Sequence, residues 1–564
     1  MTTSMSGHWV IFSFFAWGHL RPVSNLAVAL ARKFPDITIS FIVDASFASK
    51  SFGEIERNVK LGPDASVLSR IRHIPVGRAM AGMTPELAAK VATLDPRWVP
   101  CTSPAHSAEL QAVFDAMMEE RPFEDSMGKM WEPIDKPNFI VSDVMMGHVT
   151  PALKQKYGVP LYMWFVGSAT SFTRSFGPTE KGGRAPGYID ECLAIEADPE
   201  KSKGRSFNEI AHGVWARSAS FKDDVVRVKG LSPFYQWEDA PQTAWHPVLY
   251  DTLATGYLLM QATDGILLPS LVEIEREGVE GLIDWYAGGD DRKVLCLGPQ
   301  LPPEYFFPTG SKKHAQLAGT EVRYNSPRAT EPSSDQTDID PSIAFLDDAL
   351  DKYGVHSVIY VSFGSIFFPK ARHVQILFER ILALEQPMSF IFTTAAPNAF
   401  LSDELAKKIQ DSGRGLVVPW APQQAILAHA ALGAFISHCG GGGTFESLSQ
   451  GVPVIGWPFI GDQPAHALWM SEVLDTGFEL LQVRDGLIKG NAFRGGPDGT
   501  AITGTDEAIA KEIDEVLKAC QGEVGKRKRA NAESVKQLIW DAHQPGGQID
   551  QHLDLLKPFA SKSN

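Results

Sequence analysis

Residues 420–463, WAPQQAILAHAALGAFISHCGGGGTFESLSQGVPVIGWPFIGDQ, constrain what this chain can fold into more than any other stretch. The run 433–437, GAFIS, is short and apolar, as a buried parallel strand is. His438 and Cys439 lead into Gly440, Gly441, Gly442 and Gly443, where missing side chains let the backbone turn tightly and bring N–H groups near a ligand. Thr444 then opens a segment of helix formers with a hydroxyl cap, which predicts a helix starting there. Strand, glycine turn and helix N-terminus together make an anion site, because unpaired N–H groups and the positive helix end coincide. No Lys follows Gly443, so the pattern is not a Walker P-loop. Four glycines in a row also read, by themselves, as a flexible surface loop. The flanks favour a nucleotide. Trp420 and Gln423 offer an indole face and an amide suited to a base, Glu446 a carboxylate for ribose hydroxyls, and Asp462 with Gln463 polar groups for a sugar.

Over its whole length, without a gap, this stretch resembles the signature box of the family 1 UDP-dependent glycosyltransferases of small molecules, best known from plants. The resemblance implies an α/β chain with the GT-B fold, two Rossmann-like doubly wound domains facing across a cleft. It also implies residue roles. Trp420 would stack on uracil, with Ala421 and Gln423 among the donor contacts. His438 would contact the diphosphate, Glu446 the ribose, and Asp462 with Gln463 the transferred sugar. Ser365, closing an earlier SFGS turn, would lie near the diphosphate. The chain departs from the plant pattern at one place. Plant enzymes carry Trp-Asn-Ser after His-Cys-Gly, whereas Gly441, Gly442 and Gly443 stand here, closer to the glycine-threonine loop of bacterial and sterol-type relatives. Phosphate contacts would then fall to Thr444 and to backbone amides from Gly440 to Gly443.

At 564 residues the chain exceeds one ordinary core, so two large domains are expected. A formal charge of −15 argues against a nucleic-acid or anionic-membrane partner. Cys101, Cys192, Cys296, Cys439 and Cys520 are scattered, odd in number and without CxxC spacing, which favours a reducing compartment over a disulfide framework or zinc site. With no signal-peptide pattern and no run of roughly 18 apolar residues, a cytoplasmic protein without an integral membrane segment is expected.

Strand and helix patterns alternate, which predicts doubly wound parallel sheets. An apolar run at 9–15 predicts the first strand; a loop through Trp17, Gly18 and His19 to Pro22 precedes a helix over 23–34. Further strands are predicted at 37–43, 71–76, 139–142, 159–165, 265–268 and 294–299, and helices over 107–130 and 148–157. Residues 168–238, dotted with Phe and Trp, read either as a variable acceptor wall or as a helical cover. The polar stretch 302–341 is the expected linker between an N-terminal acceptor domain, 1–301, and a UDP-sugar domain, 342–543, which a tail, 544–564, follows. Within the linker, Asp338 and Asp340 spell DxD; beside Pro341 they read as a helix cap rather than a metal motif. The second domain is predicted to hold strands at 357–365, 390–393, 415–418, 433–437, 452–456 and 478–483. Its helices are predicted over 370–384, 464–474, 506–520 and 523–543, the last returning to the first domain if the resemblance holds.

The chemistry the resemblance implies is displacement at the anomeric carbon of a UDP-sugar by an acceptor hydroxyl, inverting and without a metal or other cofactor. A neutral hydroxyl needs a base, and His19, after strand one, matches the family's. Asp143, closing the strand at 139–142, matches the carboxylate that would fix the imidazole tautomer. His148 and Glu446 are weaker base candidates. Charge developing on UDP would be met by the helix start at Thr444, the glycine amides and His438. Gln463 leans towards UDP-glucose as donor. Phe14, Phe15, Trp17, Met145, Met146 and Phe165 are candidate acceptor contacts that read equally as core. The acceptor should be lipophilic, whether phenolic, terpenoid, sterol or lipid. Two rivals remain: a non-hydrolysing sugar-nucleotide epimerase, disfavoured by the signature box, and a non-catalytic UDP-sugar or lipophile binder, disfavoured by His19 and Asp143 occurring together.

Overall fold

Five successive buried residues need a sheet covered on both faces, and β1 (His8–Phe12) is of this kind. Its one polar side chain is satisfied on both ring nitrogens: His8 Nδ1 lies 2.6 Å from the Asp135 carbonyl and Nε2 2.8 Å from Ser40 Oγ. The structure is a computed structural model describing residues 7–61, 64–77, 104–218, 224–242, 247–306, 340–364, 368–396, 399–486 and 490–561.

The chain forms two compact units, neither continuous in sequence. The first comprises Met1–Ala216, Trp245–Pro302 and Asp541–Asn564, the second Arg217–Ala244 and Pro303–Trp540. In the first unit, β1 joins β2 (Thr38–Val43), β3 (Ile71–Pro75), β4 (Phe139–Asp143), β5 (Leu161–Trp164), β6 (Gly265–Leu268) and β7 (Lys293–Cys296). They form one parallel sheet in the order β7-β6-β5-β4-β1-β2-β3. Val10, Phe12, Ile140, Met163, Ile266 and Leu268 from these strands share one core, each burial contributing about 1.5–3 kcal/mol. Helix α1 (Trp17–Lys33) follows β1, and its buried side is tied to α2 (Ala48–Leu61) through Glu54, which accepts from Arg21, Asn25 and Arg57. Burial works to raise the Glu54 pKa, but the two guanidinium charges and the Asn25 bond outweigh it and hold the carboxyl below its ordinary value.

The helix predicted over 107–130 stops at Met118, and a short hairpin pairs Phe123–Glu124 with Met130–Trp131. Asp125 decides this. Its carboxylate accepts from the Met127 and Lys129 amides and the Trp131 indole at 2.8–3.0 Å, and Gly128 turns at φ 84°. Residues 544–564 are the expected tail, and of these 544–561 are instead built into the first unit. Phe559 stacks on Phe139 with centroids 4.5 Å apart, and its carbonyl accepts from the Trp9 indole at 2.8 Å.

The second unit holds β8 (Val358–Ser362), β9 (Ser389–Thr393), β10 (Gly415–Val418), β11 (Leu432–Ser437), β12 (Val454–Gly456) and β13 (Phe478–Glu479). They are parallel, in the order β10-β9-β8-β11-β12-β13. Segment 224–242 belongs to this unit and is anchored by Glu238, which accepts from Arg484 Nη1 at 3.2 Å and Arg494 Nη1 at 2.9 Å. Glu479 takes the other sides of the same two guanidiniums, so four buried charges close on one another. Most of the expected linker, including Asp338, lies outside the described residues. Asp340 is a helix cap, accepting from the Ser342 amide at 2.8 Å.

Candidate active site

In the first unit the strand order reverses beside β1: the chain leaves β1 towards β2 and leaves β4 towards β5, opening a crevice at the carboxyl ends of β1 and β4. Residues 13–16 make the turn after β1, and α1 begins at Trp17, earlier than predicted. His19 therefore sits in the first helical turn and not in a loop, while Pro22 lies inside the helix. The His19 and Leu20 amides both bond to the Ala16 carbonyl, at 2.9 and 2.8 Å, so the helix is already nucleated before the proline forfeits one bond.

Asp143 closes β4 with no exposed surface, and the half-covered His19 ring reaches it. Nδ1 lies 3.2 Å from Oδ1 and 3.1 Å from Oδ2. The same carboxylate accepts from the Met145 amide at 2.9 Å, which fixes its own orientation. Phe14 meets the imidazole edge-on at 5.9 Å. His148 follows on the next turn; both its ring nitrogens are buried without a hydrogen-bond partner among the described residues. Its pKa is pushed down to about 4, mainly by burial and secondarily by His106, against the Met145 backbone. Of the candidate acceptor contacts, Phe14, Met146 and Phe165 are core residues, at most 6% exposed, Phe15 and Met145 pack partly buried against that core, and Trp17 keeps part of its surface.

In the second unit the order reverses between β8 and β11, and His438 follows β11 directly. Helix α3 (Gly441–Leu448) starts three residues before Thr444, with Gly440 in the N-cap position. A glycine N-cap needs no side-chain bond, so Thr444 falls inside the helix. Its hydroxyl is buried without a partner among the described residues rather than capping. The amides of Gly440, Gly441, Gly442 and Gly443 likewise meet no acceptor there, whereas the Thr444 amide begins the helical ladder on the Gly440 carbonyl at 3.0 Å.

The glycines have separate reasons. A Cβ on Gly440 would stand 2.6 Å from His438 Nε2, and one on Gly364, which turns at φ 77°, would stand 2.8 Å from the same ring. A Cβ on Gly442 would meet nothing within 4 Å. The His438 ring is thus held between two bare backbones, with Nδ1 buried and without a partner among the described residues. Its pKa is pushed down to about 4, chiefly by burial, with His466 adding, against Asp462 and the Ser362 backbone. The ring is neutral at physiological pH.

Glu446 accepts from Gln423 Nε2 at 2.6 Å and Gln424 Nε2 at 3.0 Å, one on each oxygen. Asp462 and Gln463 open α4 (Gln463–Leu468). Gln463 Oε1 accepts from the Phe459 and Ile460 amides at 2.9 and 3.2 Å, which leaves its NH2 as the outward donor. Trp420 and Ala421 follow β10, the first partly exposed and the second buried. Ser365 lies outside the described residues. The second unit therefore gathers His438, the glycine amides, Thr444, Glu446, Gln423, Asp462 and Gln463 around β8, β11 and the turn after β12. Sequence reasoning missed Gln424, His466 and Gly364. Gln424 carried one signal, its place beside Gln423 in the QQ pair. Among the described residues, no three His, Cys, Asp or Glu side chains group as a metal site, and no helix is long and apolar enough to cross a membrane.

Residues 311–479 match the family described as UDP-glucoronosyl and UDP-glucosyl transferase. The UDP-glycosyltransferase eriJ of Hericium erinaceus is 26% identical over 541 residues, covering 93% of this chain and 94% of that protein. Anthocyanidin 3-O-glucosyltransferase 2 of Fragaria ananassa is 32% identical over 212 residues, 38% of this chain and 40% of that protein. Among solved structures, Phytolacca americana UGT2 complexed with UDP-2fluoro-glucose and pterostilbene superposes with a TM-score of 0.62 at 17% identity, over 99% of this chain and 100% of that one. A Polygonum tinctorium UDP-glucosyltransferase gives 0.62 at 18%, over all of both chains. Two doubly wound parallel-sheet units of this kind are the GT-B fold. The family match, the relatives and the structural likenesses together indicate a family 1 UDP-glycosyltransferase.

Proposed function

We propose that this enzyme transfers glucose from UDP-glucose to a hydroxyl of a lipophilic small molecule, by metal-independent inverting displacement. The observation that carries the reading is the His19–Asp143 pair, 3.1 Å apart at the strand-order reversal of the first unit. With Nδ1 donating to Asp143, Nε2 is the nitrogen able to take a proton. In the proposed step the acceptor oxygen attacks the anomeric carbon, its proton passes to His19 Nε2, and the bond from that carbon to the UDP oxygen breaks. Configuration inverts, giving a β-glycoside from an α-linked donor. Charge on departing UDP is met by the four glycine amides, the α3 N-terminus and neutral His438 acting as a hydrogen-bond donor.

In this reading the indole of Trp420 carries uracil, with Ala421 and Gln423 alongside, Ser365 serves the diphosphate, and Glu446, which holds Gln423 and Gln424, takes the ribose hydroxyls. Asp462 and the Gln463 NH2 hold the sugar. Glucose is supported by the glucosyltransferase names among the relatives and by UDP-2fluoro-glucose in the Phytolacca complex. Pterostilbene in that complex supports a lipophilic acceptor, for which Phe15, Trp17 and Met145 offer surface at the His19 edge. The buried thiols of Cys192, Cys296 and Cys439 suit a reducing compartment such as the cytoplasm.

The test is UDP release from UDP-glucose with a panel of phenolic, sterol and terpenoid alcohols in EDTA, beside His19→Ala. Acceptor-dependent release that survives EDTA and falls about 10²–10⁴-fold in the variant is expected. Equal release in the two proteins would overturn the base assignment, and loss of release in EDTA the metal-independent step.

A further inference from the structure

His466 was not singled out by the signature, yet it is wholly buried and joins the two halves of the candidate donor site. Its Nδ1 donates to the Cys439 carbonyl at 2.9 Å and lies 3.5 Å from Asp462 Oδ2. Cys439 is unusual in its own right. It turns at φ 61°, a left-handed conformation that non-glycine residues seldom adopt, and its amide is held by Ser437 Oγ at 3.1 Å. A peptide unit is planar and trans, so the C=O of Cys439 and the N–H of Gly440 point in opposite directions along one rigid plate. Fixing the carbonyl fixes the amide. That amide is the first of the four glycine N–H groups for which no described residue supplies an acceptor.

We propose that His466 is a positioning residue for the diphosphate: by gripping the Cys439 carbonyl it keeps the Gly440 N–H turned towards the phosphate oxygens. It does not touch the nucleotide. The strained turn at Cys439 has an alternative in which the Cys439–Gly440 peptide rotates and offers the anion a carbonyl in place of an amide, and the imidazole removes that alternative. By lying against Asp462 as well, the same ring ties the phosphate loop to the residue proposed to hold the sugar. The inference rests on the reading of this loop as the diphosphate site.

The experiment is calorimetric binding of UDP and of uridine to wild type, His466→Leu and His466→Asn. Uridine keeps the base and ribose contacts but has no phosphate. For His466→Leu, UDP affinity is expected to fall about tenfold or more, the loss of one charge-assisted hydrogen bond, with uridine affinity unchanged. His466→Asn, whose side-chain N–H can take the place of Nδ1, should stay within about threefold of wild type for both ligands. Equal losses for UDP and uridine, or no loss for either, would overturn the positioning role. Wild type that binds uridine no more weakly than UDP would instead overturn the diphosphate reading itself, so the two failures are distinguishable. Should the leucine variant not fold, His466→Ala with and without imidazole replaces it. UDP affinity restored by imidazole supports the role; affinity that imidazole does not alter overturns it.

Discussion

Asp143 does two jobs with one carboxylate, accepting from the His19 ring and from the Met145 amide. Because it is wholly buried, its direction is set by the fold and not by solvent. Asp143→Asn should keep the turn, since an amide oxygen still accepts from Met145, but it removes the charge that stabilises a protonated His19. Turnover is expected to fall about 10²-fold or more with little change in KM for UDP-glucose, measured by steady-state kinetics. Both residues were legible in the sequence, through the strand each follows or closes. The partners that hold the proposed donor residues in place were not. Gln424 and His466 act through bonds to Glu446 and to the Cys439 carbonyl, 22 and 27 positions away, and no local pattern encodes such a pairing.

At the scale of elements, the proposed phosphate loop is a strand end, a left-handed residue and a glycine helix start, and the glycines are not equivalent. Gly440→Ala would press its methyl against the His438 ring, whereas Gly442→Ala projects into open space. UDP affinity should drop about tenfold or more in the first and stay within about threefold in the second, read by calorimetry. A helix start at Thr444 was the natural sequence reading, because four glycines carry a propensity penalty of about 1 kcal/mol each. Tertiary packing overrides it at the helix start, where the ring of His438 leaves room only for bare backbone at Gly440. Likewise α1 runs through Pro22, since its first bonds form on the Ala16 carbonyl and its buried face is secured through Glu54.

Across the whole molecule, buried histidines set the response to acid. His8, His73, His148 and His438 have pKa values pushed down to about 4, each chiefly by burial. For such groups the unfolded chain binds protons first. Stability is therefore full above pH 6.5 and declines as pH falls towards 4, by about 3 kcal/mol for a fully buried group such as His8. Glu512, raised to about 7 by burial against its bonds to the Leu481 and Gln482 amides, works the other way. Its contribution is present below about pH 4.5 and is lost as pH rises through 7, but one carboxyl does not offset four imidazoles. The urea midpoint should fall between pH 7 and pH 5. A midpoint that holds or rises over that range would contradict the burial of these rings.

The sequence by itself determined the alternation of strands and helices, the parallel character of both sheets, and the position of the signature residues along the chain. These are local matters: apolar runs for strands buried on both faces, and a three-to-four spacing for helices. Only the tertiary structure decided that 224–242 belongs to the second unit and 541–561 to the first. Glu238 reaches Arg484 and Arg494, about 250 residues on, and Phe559 stacks on Phe139, some 420 residues back. Such contacts come from complementary charge and shape brought together by the completed fold, which no window of sequence contains.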